Sequence, residues 1–546
     1  MLDSLNLLIS HAINTPIRRL IFATITGLLL ASTLPFMGWG ILIWIALIPL
    51  FVLIKSADSF RIAMLEGFVF LLTYNLISFI WIFGLHPLTW HGFSSGESIL
   101  ITSLAWLTPS LFHSIVMLPF IGIVKLFYSV RTDHRTNELQ IIDIFLLALV
   151  WVILQHKLLL NFGGIFSVPI NFLVYSQYDN KALIQVSNII GAIGLEYFII
   201  LVNLAGSNLF NVQRSQHDLG RHLKPNSNLN IKQPFFGIQK INEYFNVFII
   251  LLSSFIVIFI YGLIQINWTR MSDKRHAHFA KTFAVVQADY SAAATRSMQI
   301  NPENLFALQY KLSTKITEPK DLLIWSEGAV PLLNKSTITA DLKTLAQYAS
   351  VFVYGTYTQN KRGQIFNSIE YKDFSYEPEK TYRYHKRNLV PFGEYTPFYS
   401  MLPGFLKMLA NSTVGEGFTR GSTKQDIVRT SNIDIASALC FELLFPELVR
   451  SYVIKGADLI VNLNDLSWFK GQSLTKDWVK KQFLAVAVFR AVENNRDLIL
   501  AGNSGYSALI TSYGEVMYKS DANKIAMIQG TFMPRKDFSG YSLYGW

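Results

Sequence analysis

A single cysteine, Cys440, occurs in the 546 residues, and its surroundings are suited to chemistry. It ends the apolar run Ile435-Ala436-Ser437-Ala438-Leu439 and is followed by Phe441-Glu442, the pattern of a buried strand that stops at a thiol where a turn or helix begins. Upstream, an acid follows an apolar strand in Ile324-Trp325-Ser326-Glu327, and a lysine follows aromatic-rich chain in Tyr384-His385-Lys386. A carboxylate, an ammonium and a thiol, each at a strand end, form the set that acyl chemistry on a thiolate requires. A free thiol titrates near pH ~8.5, so a neighbouring base or cation must supply the thiolate at neutral pH.

The elements that must position these groups fall into two regimes. Mean hydropathy is +0.33 and 51% of residues are hydrophobic, too apolar for an ordinary soluble enzyme. Long apolar runs fill the first half, whereas the second half reads as mixed α/β, so a membrane domain over 1–267 and a catalytic domain over 268–546 are expected. The lone cysteine excludes an intramolecular disulfide and any multi-cysteine metal site. His276 and His278 have no Cys or carboxylate cluster nearby, so neither metal nor cofactor is expected. The net charge of +11 comes from basic residues concentrated in loops between apolar segments, which fits membrane topology rather than nucleic acid.

Seven stretches are apolar and long enough to span, near 20–37, 39–55, 61–84, 98–127, 141–160, 185–210 and 244–267. Pro109 and Pro119 in the fourth predict a kink or tilt. Arg18, Arg19, Lys55, Arg61, Arg131, Arg135, Arg214, Arg221, Lys224, Lys232 and Lys240 fall in alternate loops, while 85–97 contains no Lys or Arg. The positive-inside rule then places the N-terminus in the cytoplasm and residue 268 onward outside. No small-residue cleavage site follows the first apolar run, so an uncleaved span is expected there rather than a signal peptide. Few charges lie within the spans, which argues against a transporter relay.

Beyond residue 282, strand runs at Phe283–Gln287, Leu322–Trp325, Val351–Tyr357, Ile433–Leu439, Leu459–Leu463, Leu498–Ala501, Ala508–Thr511 and Ile525–Gln529 alternate with helical stretches at 301–315, 339–349, 444–455 and 476–494. That alternation predicts α/β layers.

Three motifs stand in order: Ile324-Trp325-Ser326-Glu327-Gly328-Ala329-Val330-Pro331, then Tyr384-His385-Lys386-Arg387-Asn388-Leu389-Val390-Pro391-Phe392-Gly393-Glu394-Tyr395-Thr396-Pro397, then Leu439-Cys440-Phe441-Glu442-Leu443-Leu444-Phe445-Pro446-Glu447. Together they resemble the nitrilase (carbon–nitrogen hydrolase) superfamily. With the multispan first half, nearly the whole chain resembles the bacterial apolipoprotein N-acyltransferases. The resemblance implies a multispan α-helical membrane domain followed by a nitrilase-like αββα sandwich. It also implies a multi-pass protein of the bacterial inner membrane whose catalytic domain faces the periplasm. Its partners would be a phospholipid acyl donor, phosphatidylethanolamine above all, and an apolipoprotein whose diacylglyceryl-cysteine α-amine accepts the chain. Matched by motif, Cys440 would be the nucleophile, Glu327 the general base and Lys386 the third member of the triad. Glu394 would add a carboxylate, and Glu442 and Phe441 would support the site.

Softer matches extend the site. Asn462-Leu463-Asn464-Asp465-Leu466-Ser467-Trp468-Phe469 resembles the strand end that lines the family's pocket, which points to Asn464 and Trp468. Arg490 and Glu493 read as a buried structural ion pair. The apolar stretch 398–410, with Lys407 as its one charge, is too short to span and is expected to dip into the bilayer interface, guiding acyl chains through Phe398, Leu402 and Phe405.

Four features depart from the family's pattern. The usual Lys-Trp after the first strand is replaced near Arg296-Ser297-Met298. Phe441 stands where tyrosine is commoner, and Asn464-Asp465 is shifted relative to Trp468-Phe469. The family's usual final span would begin about where this sequence ends, at Trp546. Two other readings stay open at this level: a membrane-tethered nitrilase-type amidase, and a non-catalytic lipoprotein-binding paralogue.

Overall fold

Unbroken apolar sequence over 20 or so residues leaves the backbone no better option than an α-helix, which satisfies its own N–H and C=O groups. The computed structural model describes residues 2–545 apart from 90–91, 131–138, 163–165, 211–237, 292–301, 331–341, 405–406, 408–415, 471–474 and 476. Among the described residues, five helical stretches are long and apolar enough to cross a membrane: Phe60–Leu85, Ser95–Val130, Ile141–Leu158, Ser187–Ser207 and Ile249–Arg275. The first two expected stretches are shorter. Pro16–Ala31 is a 16-residue helix started by the Thr15 side chain and by proline at its first position. The second is a 3-10 turn, Gly40–Trp44, followed by the helix Ile48–Ser56. Pro109 and Pro119 both lie inside one 36-residue helix, Ser95–Val130.

The chain forms two compact units. One comprises Met1–Ser78, Ser110–Phe162 and Glu196–Ile260; the other comprises Phe79–Pro109, Gly163–Leu195 and Tyr261–Trp546. The first is held by close helix approach and buried polar pairs, as expected where lipid removes the hydrophobic drive between helices. A Cβ on Gly27 would sit 2.7 Å from the Phe70 carbonyl, and one on Gly67 2.6 Å from Ile121. Asn203 donates to the Ile43 carbonyl and accepts from Leu47 N–H, both at 2.9 Å, where the backbone breaks between turn and helix. Glu196 accepts from Trp151 Nε1 at 3.0 Å and pairs with His156 Nε2 at 3.2 Å.

The second unit contains the α/β layers. Its strands are β1 (Lys281–Gln287), β2 (Lys320–Trp325), β3 (Ala349–Gln359), β4 (Ile365–Asp373), β5 (Lys380–His385), β6 (Val428–Arg429), β7 (Asp434–Leu439), β8 (Leu459–Asn464), β9 (Leu498–Gly502), β10 (Ala508–Ile510), β11 (Val516–Met517) and β12 (Ala526–Phe532). They form two six-stranded sheets, in the orders β12-β1-β2-β3-β4-β5 and β11-β10-β9-β8-β7-β6. β1, β2 and β3 run parallel, as do β7, β8 and β9. These central strands are apolar throughout because both of their faces are covered. Ala284, Val286, Leu323, Trp325, Phe352 and Tyr354 pack with Phe306 and Leu312 of the helix Pro302–Ser313. Helices Pro446–Val453 and Trp478–Asn494 cover the other sheet, and Tyr371 of β4 meets Ser437 of β7 at 2.6 Å between the sheets. The result is an αββα sandwich.

The eight strand runs read from the sequence are all strands here. The hairpin β4–β5, which carries Lys386 at its end, was not among them. The stretch read as helix 339–349 ends in a 3-10 turn at Gln347, and β3 begins at Ala349.

Candidate active site

Parallel strands deliver their C-terminal ends to one edge of a sheet, where side chains from several strands converge. Glu327 follows β2, Lys386 follows β5 and Cys440 follows β7. Gly355 of β3 makes room for the first: a Cβ there would lie 2.6 Å from Glu327 Cα and from Gly328 N. Cys440 has a φ of 47°, a left-handed conformation that costs a non-glycine residue on the order of 1 kcal/mol and presents the thiol at a sharp turn out of the strand.

Lys386 is buried, and its ammonium lies between two carboxylates, 3.2 Å from Glu327 Oε1 and 2.9 Å from Glu394 Oε1. Burial alone would lower its pKa, but the charges of Glu327 and Glu394 hold it well above the ordinary lysine value. The ammonium is therefore permanent at neutral pH. Asn367 of β4 bridges the same two oxygens from the other side, its Nδ2 donating to Glu327 Oε1 at 2.9 Å and to Glu394 Oε1 at 2.7 Å. The outer oxygens are held by backbone, Glu327 Oε2 by Asp465 N–H at 3.0 Å and Glu394 Oε2 by Val390 N–H at 2.7 Å.

Cys440 is half-buried as a residue, but its thiol sits deep among protein atoms. Burial and then the Glu327 charge push the thiol well above the ordinary cysteine value, while Lys386 and the Asp465 N–H pull the other way. The resting thiol therefore keeps its proton. A nucleophile in this state must lose that proton as it attacks, and Glu327 is the carboxylate whose charge it feels most strongly.

Glu442 holds the site without facing it. Its carboxylate accepts from Leu439 N–H at 2.8 Å, from Arg387 N–H at 2.6 Å, from Asn388 N–H at 3.1 Å and from the Tyr384 hydroxyl at 2.8 Å. It thereby ties the chain around Lys386 to the strand end that presents Cys440. Burial raises its pKa against those backbone donors.

The remaining residues expected at the site are more scattered. Phe441 packs edge-to-face on Phe445 at 5.2 Å. Asn464 donates to Asn462 Oδ1 at 3.3 Å and does not bond to Glu327, Lys386 or Glu394 among the described residues. Its neighbour Asp465 reaches Glu327 instead. Trp468 is half-buried in the 3-10 turn Ser467–Phe469, and Phe469 packs on Trp81 at 4.8 Å. Phe398 is 66% exposed with a φ of 56°, and Leu402 is half-buried. Phe405 and the Arg296-Ser297-Met298 departure lie outside the described residues. Arg490 and Glu493 form a buried ion pair, with Arg490 also donating to Tyr175 and Glu493 accepting from Ala192 N–H. Asn367, Asp465, Tyr290 and Asn503 are the site residues that sequence reasoning missed.

Fold and site together define a nitrilase-type domain carried by a chain with a helical membrane unit. Residues 283–533 match the family model for carbon–nitrogen hydrolases, and residues 26–205 match that for the apolipoprotein N-acyltransferase N-terminal domain. Curated relatives include the apolipoprotein N-acyltransferase of Geobacter metallireducens, 28% identical over 97% of this chain and 92% of that protein. That of Rickettsia prowazekii is 24% identical over 89% of this chain and 86% of its own length. Among solved structures, a carbon–nitrogen hydrolase from Helicobacter pylori is 14% identical, covering 46% of this chain and 89% of its own, with a TM-score of 0.34. The chain belongs to the apolipoprotein N-acyltransferase family.

Proposed function

We propose that this protein moves an acyl chain from a phospholipid, phosphatidylethanolamine above all, through a thioester on Cys440 to the α-amine of a diacylglyceryl-cysteine at an apolipoprotein N-terminus. The observation that carries this reading is the buried Lys386 ammonium, shared between Glu327 and Glu394 at the same strand ends as the only thiol in the chain. In the first half-reaction Glu327 takes the thiol proton as Sγ attacks the ester carbonyl. Lys386 stabilises the oxyanion, and the proton passes from Glu327 to the departing lysolipid oxygen. In the second half-reaction the amine attacks the thioester, Glu327 accepts a proton from the nitrogen, and the sulfur leaves and is reprotonated. A thioester keeps enough reactivity to acylate an amine, so the sequence is ping-pong.

The test is the intact mass of detergent-purified protein after incubation with phosphatidylethanolamine. A gain of one acyl chain, removed by neutral hydroxylamine and absent in Cys440→Ser, is expected. No acylation of folded protein by any bacterial phospholipid would overturn the reading, and turnover of a small amide without lipid would favour an amidase.

We further propose a membrane domain over 1–267 and a periplasmic catalytic domain over 268–546, with a cytoplasmic N-terminus. Supporting this, Arg19, Lys55, Arg61 and Lys125 all occupy helix ends that alternate crossings would place on one side. Arg19 pairs with Glu66 there, and Lys125 donates to the Ala57 carbonyl at 2.6 Å.

The segment between Phe392 and Leu402 is read as the lipid-facing lip of the site. Phe392, Phe398 and Met401 are 60, 66 and 78% exposed, while Glu394 from the same segment reaches Lys386. Burying one such side chain in lipid is worth roughly 1.5–3 kcal/mol. Phe398→Ser with Leu402→Ser should therefore slow turnover of a phospholipid at least about tenfold, yet leave a short, soluble thioester donor nearly unaffected. Equal losses on both donors would remove the lip from the mechanism.

A further inference from the structure

Asp465 meets the site through its backbone. Its N–H donates to Glu327 Oε2 at 3.0 Å and also faces the Cys440 thiol, whose pKa it lowers. One donor thus lies against both ends of the proton transfer. Before transfer the negative charge is on Glu327. As the S–H bond breaks and an O–H bond forms on Glu327, the electron pair stays on sulfur and the charge moves there. An N–H between the two positions can follow that charge without the backbone moving, which is the preorganisation that makes buried donors effective.

The Asp465 side chain holds this N–H in place. Its Oδ1 accepts from Ser467 N–H and from Asn503 Nδ2, each at 2.9 Å. Asn503 is itself fixed at the end of β9: its N–H donates to the Asn464 carbonyl at 2.9 Å, and its side chain pairs with the Tyr290 backbone at 2.8 and 3.1 Å. The Tyr290 hydroxyl closes the circuit by donating to the Glu327 carbonyl at 2.5 Å.

We propose that Asp465 is a positioning residue for acyl transfer, its carboxylate using Ser467 and Asn503 to hold its own N–H where it serves Glu327 and Cys440 in turn. This rests on the reading of Cys440 as nucleophile and Glu327 as base. The titratable groups facing Asp465 are Glu327 from the end of β2, Tyr290 from the end of β1 and Cys440 from the end of β7; beside Tyr290, Asp289 is paired with Lys470. Burial pushes the Asp465 carboxyl up to about 6, so it is an anion at pH ~8.5.

Asp465→Asn and Asp465→Ala both delete that charge, but only the asparagine keeps an oxygen for Ser467 and Asn503. Their ratio isolates the positioning role. Two rates are measured on the full-length protein: Cys440 alkylation by iodoacetamide at pH ~8.5 and single-turnover acylation by phosphatidylethanolamine. The asparagine variant is expected to exceed the alanine variant at least about tenfold in both and to stay within about threefold of the parent in acylation. Equal rates for the two variants would overturn the proposal. If the alanine variant does not fold, a fall of tenfold or more in the asparagine variant overturns it equally. Alkylation needs no lipid, so the inference is still tested if the acyl-donor reading fails.

Discussion

Replacing Lys386 by methionine should abolish acyl-enzyme formation, with a loss of at least about 10³-fold, and should destabilise the catalytic unit by about 3–5 kcal/mol. The kinetic loss is that of a preorganised oxyanion donor with its charge. The stability loss follows from burial: without the ammonium, Glu327 Oε1 and Glu394 Oε1 share only the Asn367 amide. One of the two carboxyls must then bind a proton or pay the cost of an unpaired buried charge. Because the Lys386 pKa is raised, its stabilising contribution is complete below the unfolded lysine value near ~10.4 and is lost only as pH rises through the higher folded value. The parent should therefore show no pH dependence from Lys386 around neutrality. The methionine variant should instead gain stability as pH falls and the paired carboxyls protonate. Adding Glu394→Gln removes the surplus charge and should restore part of the melting temperature without restoring acylation. A double variant no more stable than Lys386→Met would contradict this balance, as would Lys386→Met acylating within tenfold of the parent.

How much of this was readable in advance depended on whether the physics lay in side-chain type or in backbone placement. The strands carrying Glu327 and Cys440 are fully buried apolar runs, and the residues after them stand out because nothing else in those runs is polar. The β4–β5 hairpin does not stand out: Phe366-Asn367-Ser368-Ile369-Glu370-Tyr371 and Lys380-Thr381-Tyr382-Arg383-Tyr384 mix polar and apolar residues because the hairpin closes one end of its sheet. Asn367 was accordingly missed, since an asparagine within a strand has no spacing signal. The Asn464-Asp465 motif was recognised, but attention fell on the Asn464 side chain. The contact with Glu327 is made by the next residue, and by its backbone, which residue type alone cannot reveal. Glu442 was legible as support for the nucleophile turn, though its reach to Arg387 and Asn388 required the fold. In the membrane half the apolar stretches were clear, but Gly38, Gly40 and Pro49 break the second into a turn and a short helix.

Replacing Glu327 by glutamine should move two rates in opposite directions. Acylation by phospholipid should fall by about 10²–10⁴-fold, the usual range for a lost general base. Alkylation of Cys440 by iodoacetamide at fixed pH should instead become faster. The Glu327 charge is the largest influence after burial holding the thiol above its ordinary value. Removing it lets Lys386 and the Asp465 N–H stabilise the thiolate against one carboxylate fewer. Each pKa unit of relief gives about ten times more thiolate at pH values below the midpoint. Glutamine keeps the carboxamide oxygen as an acceptor, so Lys386 and Asp465 retain a partner and the fold should survive. Opposite signs separate this mechanism from simple damage to the site, which would slow both reactions. They also separate it from a site in which Lys386 alone creates a standing thiolate: in that case the parent would alkylate rapidly near neutrality, and loss of Glu327 would leave the first half-reaction intact. The resting thiol carries its proton because Glu327 is charged, and the same carboxylate removes that proton when the ester carbonyl arrives. Reactivity is thereby coupled to substrate rather than left open to oxidants or stray electrophiles.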